Sequence, residues 1–257
     1  METRATATEK PRDSVPGASA VARGVFFSFI SPAYHDQDNI ARVVRRGVKA
    51  LRATGHAFEW IVVNDGSPDR TGAEADALAA SHESVTALHH PVNLGHGAAL
   101  DTGINAARGQ WIGFCDGDDQ YDPRDIALLL RHCDSADVII GRRTNYPNGA
   151  ARAMLSWAFN AMLRWLFDAP YRDLGCAFKM FRRDALGVCG AGSRGIFMQC
   201  EMALRAHRAG LRVIEVPVPS YPRTAGKSSS LRMKNVIALV KDVLSLFREF
   251  HHGPCAS

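Results

Sequence analysis

The sequence predicts an α/β fold built on a doubly wound, mostly parallel sheet, and three observations carry that reading. Short apolar runs alternate with stretches of helical periodicity from Val25 to Ile140, the order that strand-helix-strand units produce. Polar clusters stand at the carboxyl ends of three runs, at Pro32-Ala33-Tyr34, Asn64-Asp65-Gly66-Ser67 and Asp116-Gly117-Asp118-Asp119, the edge at which such sheets bind ligands. The composition, 46% hydrophobic and 22% charged over 257 residues, is ordinary for a globular chain and excludes a wholly disordered or fibrous one.

The elements follow in order. Val25 to Ser31 is a short apolar run that predicts a buried strand. Ile40, Val43, Val44, Val48 and Leu51 recur at helical spacing over 38–51, with Asp38 or Asn39 as the cap. Trp60 to Val63 predicts a second strand, ended by the turn chemistry of Asn64-Asp65-Gly66-Ser67-Pro68. A polar helix is expected over 69–81, a strand over 85–89, a helix over 97–107 and a strand over 111–115. A helix over 123–132 and a strand over 137–140 complete the first half. Beyond it, strands over 176–181 and 211–216 flank a helix over 197–209. The segment 229–251 carries a helical stripe of Met233, Val236, Ile237, Val240, Val243, Leu244 and Phe247, with Lys234, Lys241 and Arg248 at heptad spacing beside it. Residues 1–24 have charge, Pro and Gly but no apolar core, which predicts a disordered arm rather than a signal peptide.

A membrane-spanning helix needs about 20 apolar residues in a row, and no segment has them. The nearest, 153–167, is interrupted by Ser156, Asn160 and Arg164 and fits a buried core helix or a membrane-interface helix equally. The net charge of +5 is mild for this length, and the basic residues form no stripe with stacking aromatics, so a nucleic-acid binder is excluded. The six cysteines form no C-x-x-C pair and no zinc spacing; Cys115, Cys176 and Cys200 lie in apolar stretches, which predicts reduced, buried thiols in a cytosolic chain.

Chemistry concentrates at the strand ends. Asp116 and Asp118, spaced i, i+2 around a glycine, can converge on one hard divalent cation. Such a triplet alone is weak evidence. Asp65 at a neighbouring strand end turns the reading towards a metal and nucleotide site. Asn93-Leu94-Gly95-His96-Gly97 opens a helix whose backbone amides can face an anion. Leu100 stands where a dinucleotide fingerprint needs its third glycine, and the loop follows the third strand rather than the first, so a dehydrogenase is set aside.

The ordered motifs S-P-A-Y (31–34), V-N-D-G-S (63–67), N-L-G-H-G-A-A-L (93–100), D-G-D-D-Q-Y-D-P (116–123) and G-R-R (141–143) continue with R-D-L-G-C-A-F-K (172–179), G-I-F-M-Q-C-E (195–201) and Y-P-R-T-A-G-K-S (221–228). Together they resemble the family 2 glycosyltransferases of GT-A fold, and most closely the dolichyl and polyprenyl phosphate sugar synthases. The resemblance implies a catalytic domain over 25–228, with a nucleotide-sugar half (25–141) and an acceptor half (142–228), followed by an amphipathic membrane-interface helix and tail over 229–257. It implies that Pro32, Tyr34, Asp65, Asn93 and His96 serve the nucleotide sugar, and that Asp116, Asp118 and Gln120 bind Mg²⁺ or Mn²⁺ and the donor diphosphate. It implies that Arg143, Arg152, Ser156, Arg223 and Ser228 grip the acceptor phosphate. Asp118, Asp173 and Arg223 then stand nearest the reaction. Two positions depart from the family pattern: His96 replaces a frequent lysine, and Asn64 the first of a frequent Asp pair.

The expected reaction is an inverting transfer of a hexose from GDP-mannose or a UDP-hexose to a polyprenyl phosphate. A hydroxyl acceptor needs a general base, whereas a phosphate monoester is already anionic. Relatives that act on hydroxyls carry a Glu-Asp pair where this chain reads Gln199-Cys200-Glu201, which favours the phosphate, with Asp173 as the residue that could still act as a base. A soluble family 2 enzyme acting on a hydroxyl and a silent nucleotide-sugar-binding subunit are the alternatives. The expected location is the cytoplasmic face of a membrane, held peripherally by the C-terminal helix or by a separate anchor subunit.

Overall fold

A computed structural model describes residues 24–147, 149–222 and 233–253. Arg223 and Ser228 lie outside the described residues, as does nearly all of the expected N-terminal arm. The chain runs β1 (Phe27–Ala33), α1 (Ile40–Arg52), β2 (Phe58–Asn64), α2 (Thr71–Ser81), β3 (Val85–His89), α3 (His96–Ala106) and β4 (Trp111–Phe114). A 3₁₀ turn (Pro123–Asp125) and α4 (Ile126–Leu130) lead to β5 (Val138–Arg143), α5 (Ala150–Phe167), β6 (Lys179–Arg182), α6 (Arg183–Cys189), α7 (Met198–Arg208), β7 (Val213–Val218) and α8 (Met233–His252).

The strands form one seven-stranded sheet in the order β3-β2-β1-β4-β6-β5-β7. All pairings are parallel except those of β6, which runs antiparallel to both β4 and β5. Every residue of β1 is buried, because helices cover both faces of the sheet and leave no solvent side for a polar alternation. On one face Phe29 and Trp60 stack at 5.5 Å beneath α1, while on the other Phe114 and Phe181 meet at 5.6 Å below α3 and α7. The sheet therefore presents the ends of β1, β2 and β4 along one edge.

The helix expected over 123–132 is a capped 3₁₀ turn and a five-residue helix, because Asp122 accepts the Arg124 N–H at 2.9 Å and closes a tight turn ahead of α4. The strand expected over 176–181 begins only at Lys179, since Cys176 N–H folds back onto the Asp173 carbonyl. The seven-residue α6 was not expected at all.

Segment 153–167 lies within α5, which buries one face only. Asn160, Leu163 and Phe167 are buried, while Met154, Leu155, Trp157, Met162 and Trp165 face outward, Trp165 at 82% exposure. Helix α8 also buries one face. Val243 and Leu246 are buried against the domain, but Met233, Ile237, Val240 and Leu244 are exposed. Phe247 and Phe250 pack edge-on against Phe167 of α5, and Arg205 of α7 grips Glu249 through two hydrogen bonds of 2.6 and 2.7 Å. Thus α8 is docked on the domain, beside α5.

Candidate active site

Two cavities open along the carboxyl edge of the sheet. The first, about 480 Å³, is lined by Pro32 and Tyr34 from β1, Asp65 after β2, and Asn93 and His96 at the start of α3. The second, about 450 Å³, is lined by Gln120, Arg143, Arg152, Ser156, Lys179 and Gln199 among others. Asp116, Asp118, His96 and Ile196 line both, so the two spaces meet at the acidic turn after β4. Residues of α8 wall both cavities: Lys234, Asn235 and Ala238 the first, Val236 and Leu239 the second.

The turn after β2 is built for close approach. Gly66 has φ of +63°, and a Cβ there would lie 2.3 Å from the Val92 carbonyl carbon, so only glycine fits. That contact brings the 92–95 loop to Asp65, which is 3% exposed. Its carboxylate accepts the N–H groups of Leu94 (2.8 Å) and Gly95 (2.9 Å) and meets His90 Nδ1 at 2.7 Å. Asp65 therefore shapes the loop that opens α3.

The acidic turn divides its labour. Asp119, in the left-handed region at φ of +61°, pairs with Arg42 (2.9 Å) and Arg46 (3.3 Å) of α1, tying the turn to the scaffold. Asp118 Oδ1 accepts the Gln120 N–H at 3.1 Å. Asp116 Oδ1 is buried without a hydrogen-bond partner among the described residues, a costly state unless something else binds it. No group of three His, Cys, Asp or Glu side chains among the described residues is placed to hold a metal alone. Two carboxylates at a cavity edge nevertheless fit a cation that completes its shell with substrate phosphates.

Arg143, at the end of β5, is locked in place. Its Nε and Nη2 donate to Asp173 at 2.8 and 2.6 Å, its backbone N–H donates to the same carboxylate at 3.0 Å, and Nη2 also donates to Ser156 Oγ at 3.0 Å. The Tyr146 ring lies 4.9 Å from the guanidinium carbon. Burial opposes the charge on Arg143, but the hydrogen bonds and charge of Asp173 outweigh it and hold its pKa above the usual arginine value. Asp173 itself is 1% exposed, also accepts from Asn160, and is held by Glu215, which accepts the Arg172 and Asp173 N–H groups. Ser156 and Arg152 stand one turn apart on α5 and line the same cavity as Arg143.

The structure thus gathers eleven of the sequence-predicted residues around the joined cavities: Pro32, Tyr34, Asp65, Asn93, His96, Asp116, Asp118, Gln120, Arg143, Arg152 and Ser156. Asp173 lies behind Arg143 and lines neither. Sequence reasoning missed Lys179 and gave Gln199 no part in the site. Gln199 lines the second cavity and is 4% exposed; its side chain meets His96 Nε2 at 3.3 Å, and its buried carbonyl oxygen has no hydrogen-bond partner among the described residues.

A mostly parallel sheet with an acidic turn after its fourth strand and paired cavities above it is the GT-A architecture. The same fold is seen in the crystal structure of glucosyl-3-phosphoglycerate synthase from Mycobacterium tuberculosis in complex with Mn²⁺, UDP and phosphoglyceric acid, at a TM-score of 0.68 and 17% identity over 90% of this chain and 80% of that one. The chain belongs to glycosyl transferase family 2, whose model matches residues 28–197. It is 34% identical over 248 residues to the glycosyltransferase AglD of Haloferax volcanii, covering 92% of this chain but 38% of that protein. It is 30% identical over 212 residues to the undecaprenyl-phosphate mannosyltransferase of Micrococcus luteus, covering 77% of this chain and 85% of that one. To the dolichyl-phosphate beta-glucosyltransferase ALG5D of Trichomonas vaginalis it is 26% identical over 93% of this chain and 78% of that one.

Proposed function

We propose that this chain transfers a hexose, with inversion, from a nucleotide-diphosphate sugar to a polyprenyl phosphate. The observation that carries the reading is the acceptor cavity itself. Arg143, fixed by Asp173, stands there with Arg152 and Ser156, and the only carboxylates lining it among the described residues are Asp116 and Asp118 at the donor boundary. Such a cavity offers cations for an anionic nucleophile, and among the described residues its only carboxylates are the two that would hold the metal. Asp173, with its oxygens held by Arg143 and Asn160, is a positioning residue rather than a base. The names of the Micrococcus and Trichomonas relatives support the same acceptor class.

In this reading the first cavity takes the nucleoside, beside Pro32 and Tyr34, with Asp65 holding the loop that frames it. Asp116 and Asp118, with Gln120 beside them, would hold Mg²⁺ or Mn²⁺, which when bound supplies Lewis-acid neutralisation of the departing diphosphate. Arg143 and Arg152 bind the acceptor phosphate and orient one oxygen towards the anomeric carbon. That oxygen forms the new bond as the bond to the nucleoside diphosphate breaks, so no proton needs to move. Incubation with labelled GDP-mannose, UDP-glucose or UDP-N-acetylglucosamine and a polyprenyl phosphate tests this, with label expected in the organic phase for one donor.

The acceptor's lipid tail supports a peripheral place on a membrane. Among the described residues no helix is long and apolar enough to cross one. Helices α5 and α8 wall the acceptor cavity and together expose Leu155, Trp157, Trp165, Ile237, Val240 and Leu244. Lys234, Lys241 and Arg248 are exposed on α8 as well, where each basic residue near an anionic surface adds roughly 1 kcal/mol. Apolar side chains with flanking cations suit an interface in the plane of the headgroups. Trp157→Ser with Trp165→Ser should leave the melting temperature unchanged and sharply reduce co-sedimentation with phosphatidylglycerol-containing liposomes. Undiminished binding of the double variant would remove α5 from the interface.

A further inference from the structure

Lys179 begins β6 in the middle of the sheet, paired with Phe114 of β4 and Ile140 of β5. It is 1% exposed, and its ammonium donates to the Cys176 carbonyl. Among the described residues that is its only hydrogen bond, and no carboxylate forms an ion pair with it. An ammonium has three donors, and a buried one without a counter-charge is strongly disfavoured. Arg143, by contrast, has its charge matched by Asp173. Lys179 is therefore the surplus buried cation of this region.

Register puts Lys179 between the two chain segments that carry chemistry: Phe114 stands two residues before Asp116, and Ile140 three before Arg143. Lys179 lines the second cavity together with Arg143, Arg152 and Ser156. The donor side of that cavity already has Asp116 and Asp118, which need positive charge rather than supply it. The geometry points to Lys179 as a third cationic ligand of the acceptor phosphate, at the floor of the cavity, supplying the counter-charge that the folded chain leaves it without. This rests on the phosphate-acceptor reading given above. Bound there, the phosphate has Arg143 and Arg152 as further cationic partners while Lys179 draws one of its oxygens inward. A phosphate monoester recognised this way need not carry a long tail, so a short prenyl phosphate serves as a probe.

The test uses the full chain with farnesyl phosphate, and separately with UDP or GDP plus Mg²⁺, read by thermal shift and by initial rates. Lys179→Met keeps the stem and removes the charge. The free variant should melt at or above the wild-type temperature, because replacing an unpaired buried ion by an apolar side chain is neutral or stabilising. It should lose the stabilisation by farnesyl phosphate, keep that by nucleotide, and show an acceptor KM raised about ten- to hundredfold with the donor KM little changed. Should the Met variant not fold, Lys179→Gln is measured in the same way. If the variant responds to farnesyl phosphate as the wild type does, or loses only the nucleotide response, the assignment is wrong. If the wild type itself gains nothing from farnesyl phosphate, the acceptor reading falls, and this one with it.

Discussion

Asp118→Ala is expected to reduce kcat roughly 10²–10³-fold, the usual cost of removing one electrostatic stabiliser from an active site, with little change in melting temperature. The side chain accepts a turn hydrogen bond from Gln120 N–H, and Asp119 ties the same turn to the scaffold through Arg42 and Arg46. Loss of Asp118 therefore leaves the turn anchored. Asp118→Asn keeps the turn's acceptor and removes only the negative charge, so it should be nearly as inactive as the Ala variant. Excess EDTA should silence the wild type, and Mn²⁺ or Mg²⁺ should restore it. Full activity of Asp118→Ala, or of the wild type in EDTA, contradicts the metal role.

Asp173→Ala should be severe for a different reason. It leaves the Arg143 guanidinium buried without its carboxylate, and breaking a buried pair by removing one partner costs about 3–5 kcal/mol. For a chain of this size that is a fall of roughly 6–20 °C in melting temperature. Transfer is lost as well, because Arg143 no longer has a fixed direction. The double variant Asp173→Leu/Arg143→Met removes both charges and should recover most of the stability without recovering transfer. A catalytic base behaves otherwise: its Ala variant keeps stability and loses only rate. Unchanged melting of Asp173→Ala would return Asp173 to the role of base.

The parts of this molecule that the sequence made legible are those decided locally. Apolar runs marked the strands because both faces of the sheet are covered, and the carboxylates of the acidic turn stood out because a strand end must stop in polar residues. The direction of β6 was not legible. Lys-Met-Phe-Arg reads the same either way, and its reversal is set by the loop in which Asp173 and Cys176 fold back. The α6 helix, at seven residues, is too short to show a period. Helix α5 is apolar on nearly every side, so its narrow buried seam of Asn160, Leu163 and Phe167 emerges only when the neighbouring elements are in place.

Site residues divide along the same line. Asp119 belongs to the acidic run in sequence, yet its partners Arg42 and Arg46 are 77 and 73 positions away, so its structural task could not be read from spacing. Lys179 sits in a run of apolar residues and carries meaning only once Arg143 and Arg152 are seen to share its cavity. Asp173 was legible as a motif residue but not in its role, which depends on contacts with Arg143 and Asn160 on two other elements.

Partitioning distinguishes a phosphate nucleophile from a hydroxyl. Nucleotide sugar labelled in the hexose is incubated with the enzyme, a divalent cation and polyprenyl phosphate, and in parallel with the matching free polyprenol. Label is expected in the organic phase with the phosphate only, in an acid-labile product, and none with the alcohol. Transfer to the alcohol, or to a soluble glycan acceptor with no transfer to the phosphate, would contradict it.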